Sequence, residues 1–279
     1  MILFMVVTDQ ENQNKNENNN LAVIQSEEKS DLTAKGQETA VLAESAIPER
    51  FDQELEKMFK AGVHFGYSRS RRHPKMTPYI FGLRNNAEVF DLEKIKVKLK
   101  EASAFIRELG KEKKTVVLVG TKPAIRDIVE KAAREAGLPY VNERWLGGFI
   151  TNFPVIRKRM DYYENLKNEK ESGGLEKYTK KERLEIAKEL AVLGRNFDSL
   201  LALKKLPDAL LIVDPENEKT AAKEAADKKI PVVAILNSDS NPENISYPIP
   251  ANDASRASVD YLLSKITEAY QEITDAPKT

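Results

Sequence analysis

The sequence predicts an open α/β domain, a parallel sheet with helices on both faces, interrupted by one long helical insertion. Three observations carry this reading. Short β-branched runs without polar alternation recur along the chain, as strands covered on both faces require. Helical patterns stand between them, each closed or followed by a breaker such as Gly110, Gly137 or Pro231. The segment from Pro154 to about Leu203 contains no strand signal at all.

Taken in order, "EVFDL" (88–92) is a candidate strand, followed by a helical pattern over 93–109. "KKTVVLVG" (113–120) is the next strand, with a helix over 123–136 and a short strand "LPYVN" (138–142) behind it. After the insertion come "PDALLIVD" (207–214), a helix over 216–229 and "IPVVAIL" (230–236). Such alternation of strand and helix gives parallel pairing. Within the insertion, apolar positions recur at Leu184, Ala187, Leu190, Leu193 (or Gly194), Phe197 and Leu201, in steps of three and four residues that make a helical seam. A shorter helix with Val155, Ile156, Met160, Tyr163 and Leu166 precedes it across a turn at Ser172-Gly173-Gly174. Two antiparallel helices of this kind project as a coiled-coil arm or lie on the sheet as surface helices. The insertion is helical in either case.

The chain has 279 residues, 41% of them apolar, enough for a real core. It has no cysteine, which excludes disulfides, thiolate metal sites and a cysteine nucleophile and suits a reducing, cytosolic setting. Its 44 basic and 44 acidic residues balance, but unevenly. Residues 1–49 hold nine acids against three lysines, a net charge of −6 that leaves +6 on the rest. That stretch includes "ENQNKNENNN" and is poor in aromatic residues, so it is expected to be a disordered acidic extension. "MILFMVV" at its start is too short to span a bilayer and lacks the basic flank of a signal peptide. The expected division is therefore 1–49 extension, 50–153 with 204–274 as the α/β domain, 154–203 as the hairpin insertion, and 275–279 as a flexible C-terminus.

The familiar catalytic motifs, namely the phosphate-binding glycine loops, the zinc helix and the serine elbow, do not occur. His64 and His73 are the two histidines, and no second ligand stands at metal spacing from His64, which reads as a hydrogen-bonded structural residue. Asp214 and Asp239 fall at strand ends, where open α/β sheets bind ligands; a turn residue before Pro215 and a polar loop residue are the plainer readings. "VGTKPA" (119–124), at a helix start, could serve a nucleotide or phosphosugar enzyme as its phosphate loop. A coiled-coil scaffold binding only proteins is the other alternative.

Charge patterning points elsewhere. Met58 to Ala87 carries Lys60, Arg69, Arg71, Arg72, Lys75 and Arg84 without a single acid, mixed with Phe65, Tyr67, Tyr79 and Phe81. Arginine forks bind phosphates and aromatic rings stack on exposed bases, so this is the composition of an RNA-contacting surface. A second acid-free stretch, Arg144 to Met160, adds Arg144, Arg157, Lys158 and Arg159. Two such stretches favour a polyanion over a merely solvated loop.

The motifs "AGVHFG", "RRHPKMTPYIFGLRNN", "NERWLGGFITNF" with "IRKR", "PDALLIVDP", "EAADKKIPVVAILNSDSNP" and "YPIPANDAS" resemble, in order and spacing, the bacterial type of the second protein of the small ribosomal subunit. The resemblance runs from about Phe51 to about Glu272. It implies a flavodoxin-like α/β fold with a protruding coiled-coil hairpin, and a structural, non-enzymatic role in translation. It further implies binding to small-subunit ribosomal RNA and help in docking neighbouring proteins, including the large messenger-binding one. Arg69, Arg71, Arg72, Lys75, Arg84, Arg144, Arg157, Lys158 and Arg159 become the expected RNA contacts, and Tyr67, Tyr79 and Trp145 are available to stack or pack. No cofactor, metal, membrane or small-molecule substrate is expected. Tyr67 stands where the family usually has a second histidine, His73 where it has asparagine, and Asn237 where it often has aspartate. In "ERWLGGFITNF" the chain leaves a strand for the arm, so Gly147 and Gly148 are expected at positive φ, with Trp145 and Phe149 anchored in the core.

Overall fold

A computed structural model describes residues 52–271; the extension 1–49 and the terminus 275–279 lie outside the described residues. Helix α1 (Gln53–Lys60) comes first, its N-cap Asp52 accepting from the Glu54 amide. Strands β1 (Phe65–Ser68), β2 (Ile80–Arg84) and β3 (Ala87–Phe90) form an antiparallel sheet in the order β1-β3-β2. Asn85 and Asn86, both at positive φ, make the two-residue turn from β2 to β3, a conformation asparagine tolerates better than most residues. Asp91 then caps α2 (Leu92–Lys111) by accepting from the Glu93 and Lys94 amides.

The main sheet follows. It is built from β4 (Val116–Val119), α3 (Arg126–Ala136), β5 (Tyr140–Val141), the hairpin helices α4 (Phe153–Glu171) and α5 (Lys180–Phe197), β6 (Ala209–Val213), α6 (Lys219–Asp227), β7 (Val232–Leu236), β8 (Tyr247–Pro250) and α7 (Arg256–Gln271). Its five strands are parallel, in the order β5-β4-β6-β7-β8. Every residue of β4, β6 and β7 is buried, which is why these runs are apolar without alternation. Helices α2 and α3 both pack on α7. Gly137 ends α3 in the left-handed conformation, as a breaker at that position should.

Two strands depart from the sequence reading. "EVFDL" does contain a strand, β3, but it is the centre of the small antiparallel sheet and not a member of the parallel one. The fifth parallel strand is β8, "YPIP", whose two prolines argue against a strand. Its place at the sheet edge resolves the conflict, because an edge strand leaves half of its amides without a ladder partner.

Helices α4 and α5 pack on each other as a helical hairpin. Ile156, Met160, Tyr163 and Leu166 on one and Leu190, Leu193 and Phe197 on the other are buried. Gly194 lies beneath the Tyr163 ring, where a Cβ would come within 3.0 Å of its hydroxyl. Ser172 and Gly173, the latter at positive φ, form the expected turn, and Thr179 with Glu182 makes a capping box at the start of α5. Leu184 and Ala187, expected in the seam, are exposed, as is Val155. The seam thus closes only over the half of the hairpin nearest its entry and exit.

Candidate nucleic-acid interface

The carboxyl ends of the parallel strands carry a dense set of internal contacts. In the loop after β4, the Lys122 ammonium reaches Asp214 at 3.1 Å, Asp253 at 3.2 Å and the Tyr67 hydroxyl at 3.4 Å. Asn237 donates to the other oxygen of Asp253 at 2.6 Å and accepts from the Tyr67 amide at 3.2 Å. Asp253 is fully buried, and burial, then the neighbouring Asp214, raise its carboxyl to about 6. Lys122 stays charged: burial opposes the ammonium, but Asp253 and Asp214 outweigh it. The "VGTKPA" loop cannot cradle a phosphate in this arrangement. Glu218 already accepts from the Thr121 amide at 3.1 Å and from its hydroxyl, so the chain's own carboxylate fills the anion position. Asp214 is a turn residue, in line with the plainer reading, with φ of 62° and its carboxylate accepting from the Asn217 amide.

The loop 144–152 is organised by a residue the sequence reading did not single out. Glu224 of α6 is buried, and its carboxylate accepts from Gly148 N at 2.7 Å, Trp145 Nε1 at 3.3 Å, Ile150 N at 2.9 Å, Thr151 N at 3.1 Å and Thr151 Oγ1 at 3.2 Å. Burial acts to raise its pKa, yet these donors together hold it below the ordinary value. Trp145, 7% exposed, packs edge-on against Phe149 at 4.9 Å and is a core residue rather than a platform for a base. Of the glycine pair only Gly148 has positive φ, 87°; Gly147 does not. The signal for Glu224 was available: it stands between Ala221 and Ala225, on the face of α6 that is otherwise apolar.

His64 is buried as expected but not hydrogen-bonded as expected. Its Nδ1 has no hydrogen-bond partner among the described residues, and the ring is held between Phe59, stacked at 4.5 Å, and Phe65 at 4.1 Å. His73 caps a short turn by accepting from the Lys75 amide at 3.3 Å.

The expected RNA contacts fall into two groups. Arg69, Arg84, Arg144, Lys158 and Arg159 are exposed and have no ion-pair partner among the described residues. Arg71 is also exposed, and its guanidinium lies 5.6 Å from the centre of the Tyr67 ring. The others are engaged within the protein. Arg72 pairs with the buried Glu88 at 3.3 Å, and Lys75 pairs with Glu243. Arg157 donates to the Leu203 carbonyl at 3.0 Å and to Asp161 at 2.7 Å, tying the base of α4 to the chain after α5. Tyr67 and Tyr79 are half-buried, whereas Phe59, Phe65 and Phe81 are exposed. Replacing Arg72 with alanine is therefore expected to lower the unfolding midpoint, because the buried Glu88 would lose its paired cation and keep only the weaker field of Arg69, while Arg71→Ala leaves the midpoint unchanged. Thermal melting of the two variants side by side checks this; equal midpoints would remove the structural role of Arg72.

Fold and surface define a class of protein: a parallel α/β domain carrying a helical hairpin, with its strand ends closed by internal ion pairs and with exposed cations on two acid-free stretches. Comparison with known proteins makes it specific. The family model described as ribosomal protein S2 matches residues 58–273. The small ribosomal subunit protein uS2 of Dictyoglomus thermophilum is 44% identical over 221 residues, 79% of this chain and 90% of that one. The proteins of the same name from Coprothermobacter proteolyticus and Dehalococcoides mccartyi are 40% and 36% identical, over 78% and 80% of this chain and 81% and 91% of theirs. The chain belongs to the ribosomal protein S2 family.

Proposed function

We propose that this protein is a structural, non-catalytic constituent of the small ribosomal subunit, working in the cytoplasm and held on the subunit by contacts between its exposed cations and ribosomal RNA phosphates. The observation that carries the contact surface is the set of exposed side chains Arg69, Arg71, Arg84, Arg144, Lys158 and Arg159, none of which forms an ion pair among the described residues, although the Arg69 charge acts on the buried Glu88. Arg72, Lys75 and Arg157 take a second role, shaping the backbone that presents the others. The hairpin, with Val155, Tyr162, Leu184 and Val192 exposed, is assigned to neighbouring proteins of the subunit, among them the large messenger-binding one.

Phosphate contacts release counterions, so they are read in the salt dependence of binding. The full chain is expected to sediment with the small subunit at low salt and to be partly stripped at high salt. Replacing Arg69, Arg71 and Arg84 together with alanine should lower the slope of log affinity against log salt by about 0.7 to 0.9 for each phosphate that is no longer neutralised. An unchanged slope would show that these arginines do not touch the RNA.

A further inference from the structure

The small antiparallel sheet has one face in the core and one face open. Glu88 and Phe90 of the central strand β3 point inward and are buried. The other face is read from the register, because residues directly opposite in an antiparallel pair share a side of the sheet. Phe65 stands opposite Val89, and Val89 opposite Gly82, so these three form one row across β1, β3 and β2. Ser68, Ala87 and Arg84 form the next row. The floor is thus lined by small side chains, with a register shift in each ladder beside it, and no atom beyond the adjoining residues lies within 4 Å of where a Cβ on Gly82 would stand. At one side of it rises an aromatic cluster: Phe65 at 44% exposure, tilted by 39° against the His64 ring behind it, and Phe59 stacked on His64 beyond. Burial, then the Arg84 charge, lower the His64 pKa, so the ring between Phe59 and Phe65 favours its neutral form.

An open floor of small side chains with an exposed aromatic wall and an arginine beside it has the right chemistry for a nucleobase, which needs a π-face to stack on and a cation for its phosphate. The thirty residues Met58–Ala87, which supply β1 and β2, contain no acid, and the one acid of the sheet, Glu88, is on its buried face, so the local charge favours a polyanion over a peptide strand of ordinary charge. We infer that the outer face of the β1-β3-β2 sheet receives an unpaired RNA base, stacked on Phe65 over Val89 and Gly82, with Arg84 on the adjoining phosphate. This rests on the RNA-binding role proposed above and adds to it a contact that discriminates unpaired from duplex RNA.

The test compares binding of the full chain to a single-stranded oligoadenylate of about 12 nucleotides and to a blunt RNA duplex of the same length. Phe65→Leu is expected to weaken the single strand by about 5-fold or more, without changing the salt slope or the affinity for the duplex. Gly82→Val is expected to keep the strand, because its Cβ stands in open space and valine favours strands, and it fills the floor. It should therefore keep the wild-type melting temperature and lose affinity for the single strand. If Phe65→Leu fails to fold, Gly82→Val decides the matter alone. Variants that bind oligoadenylate like the wild type, with salt-dependent duplex binding retained, would overturn the base-stacking face and leave the phosphate reading intact. A wild-type chain that binds neither RNA at low salt would overturn both.

Discussion

Glu224→Ala is expected to lower the unfolding free energy by about 3 to 5 kcal/mol, the range for removing one partner of a buried charged network. The reason is arithmetic in hydrogen bonds. One carboxylate serves the amides of Gly148, Ile150 and Thr151, the Thr151 hydroxyl and the Trp145 indole, and alanine leaves these donors without acceptors around a buried loop. Glu224→Gln should fall between, since it keeps one acceptor oxygen but turns an NH2 toward donors. The acid limb of the stability curve offers a second signature. A carboxyl whose folded pKa is lowered contributes its full stabilisation above the ordinary carboxylate range and loses it as the pH falls through the folded value. Glu224→Ala should flatten that limb. Urea unfolding followed by emission of Trp145, the single tryptophan, reads the loop directly; a wild-type midpoint for the alanine variant would mean that the loop does not depend on this residue.

Lys122→Met is expected to cost about 2 to 4 kcal/mol near neutral pH, somewhat less than a fully buried pair because a quarter of the lysine side chain is exposed. Its removal leaves Asp214 and Asp253 facing each other with no cation between them. The loss should shrink on acidification. Asp253, raised by burial and Asp214 to about 6 in the wild type, loses in the variant the charge that lowers it, and so takes up a proton more readily. For a carboxyl with a raised folded pKa, the folded state binds the extra proton, so stability is gained as the pH falls through that value. Unfolding curves at about pH 7.5, 6 and 5 check this. A deficit that is equal at all three would show that Asp253 is not the group titrating.

Both residues act across long stretches of sequence, and this marks the boundary of what could be read without a structure. Strands β4, β6 and β7 were legible because burial on both faces writes itself into every residue of the run. The hairpin turn at Gly173 and the end of α3 at Gly137 were legible because glycine tolerates positive φ more readily than other residues. The seam of the hairpin was legible near its base and overextended at its tip, since spacing alone does not say where a partner helix stops covering it. β8 escaped because proline counts against a strand unless one knows that the strand is an edge.

The cationic residues divide the same way. Their number and the lack of acids around them are properties of the chain, and they pointed to a polyanion. Which of them are free is not such a property. Arg72, in the turn after β1, meets Glu88 of β3, Lys75 meets Glu243 from a loop near the far end of the chain, and Arg157 is bound to carbonyls beyond the hairpin. Likewise Lys122 and Asp253 are 131 positions apart, and Gly148 and Glu224 are 76 apart. Local pattern reports how each residue meets solvent or core, so the order of the elements, the helical insertion and the family could all be read along the chain. Which charges neutralise one another and which face outward was settled by the folded arrangement, because an ion pair depends on a distance in space that no periodicity along the chain encodes.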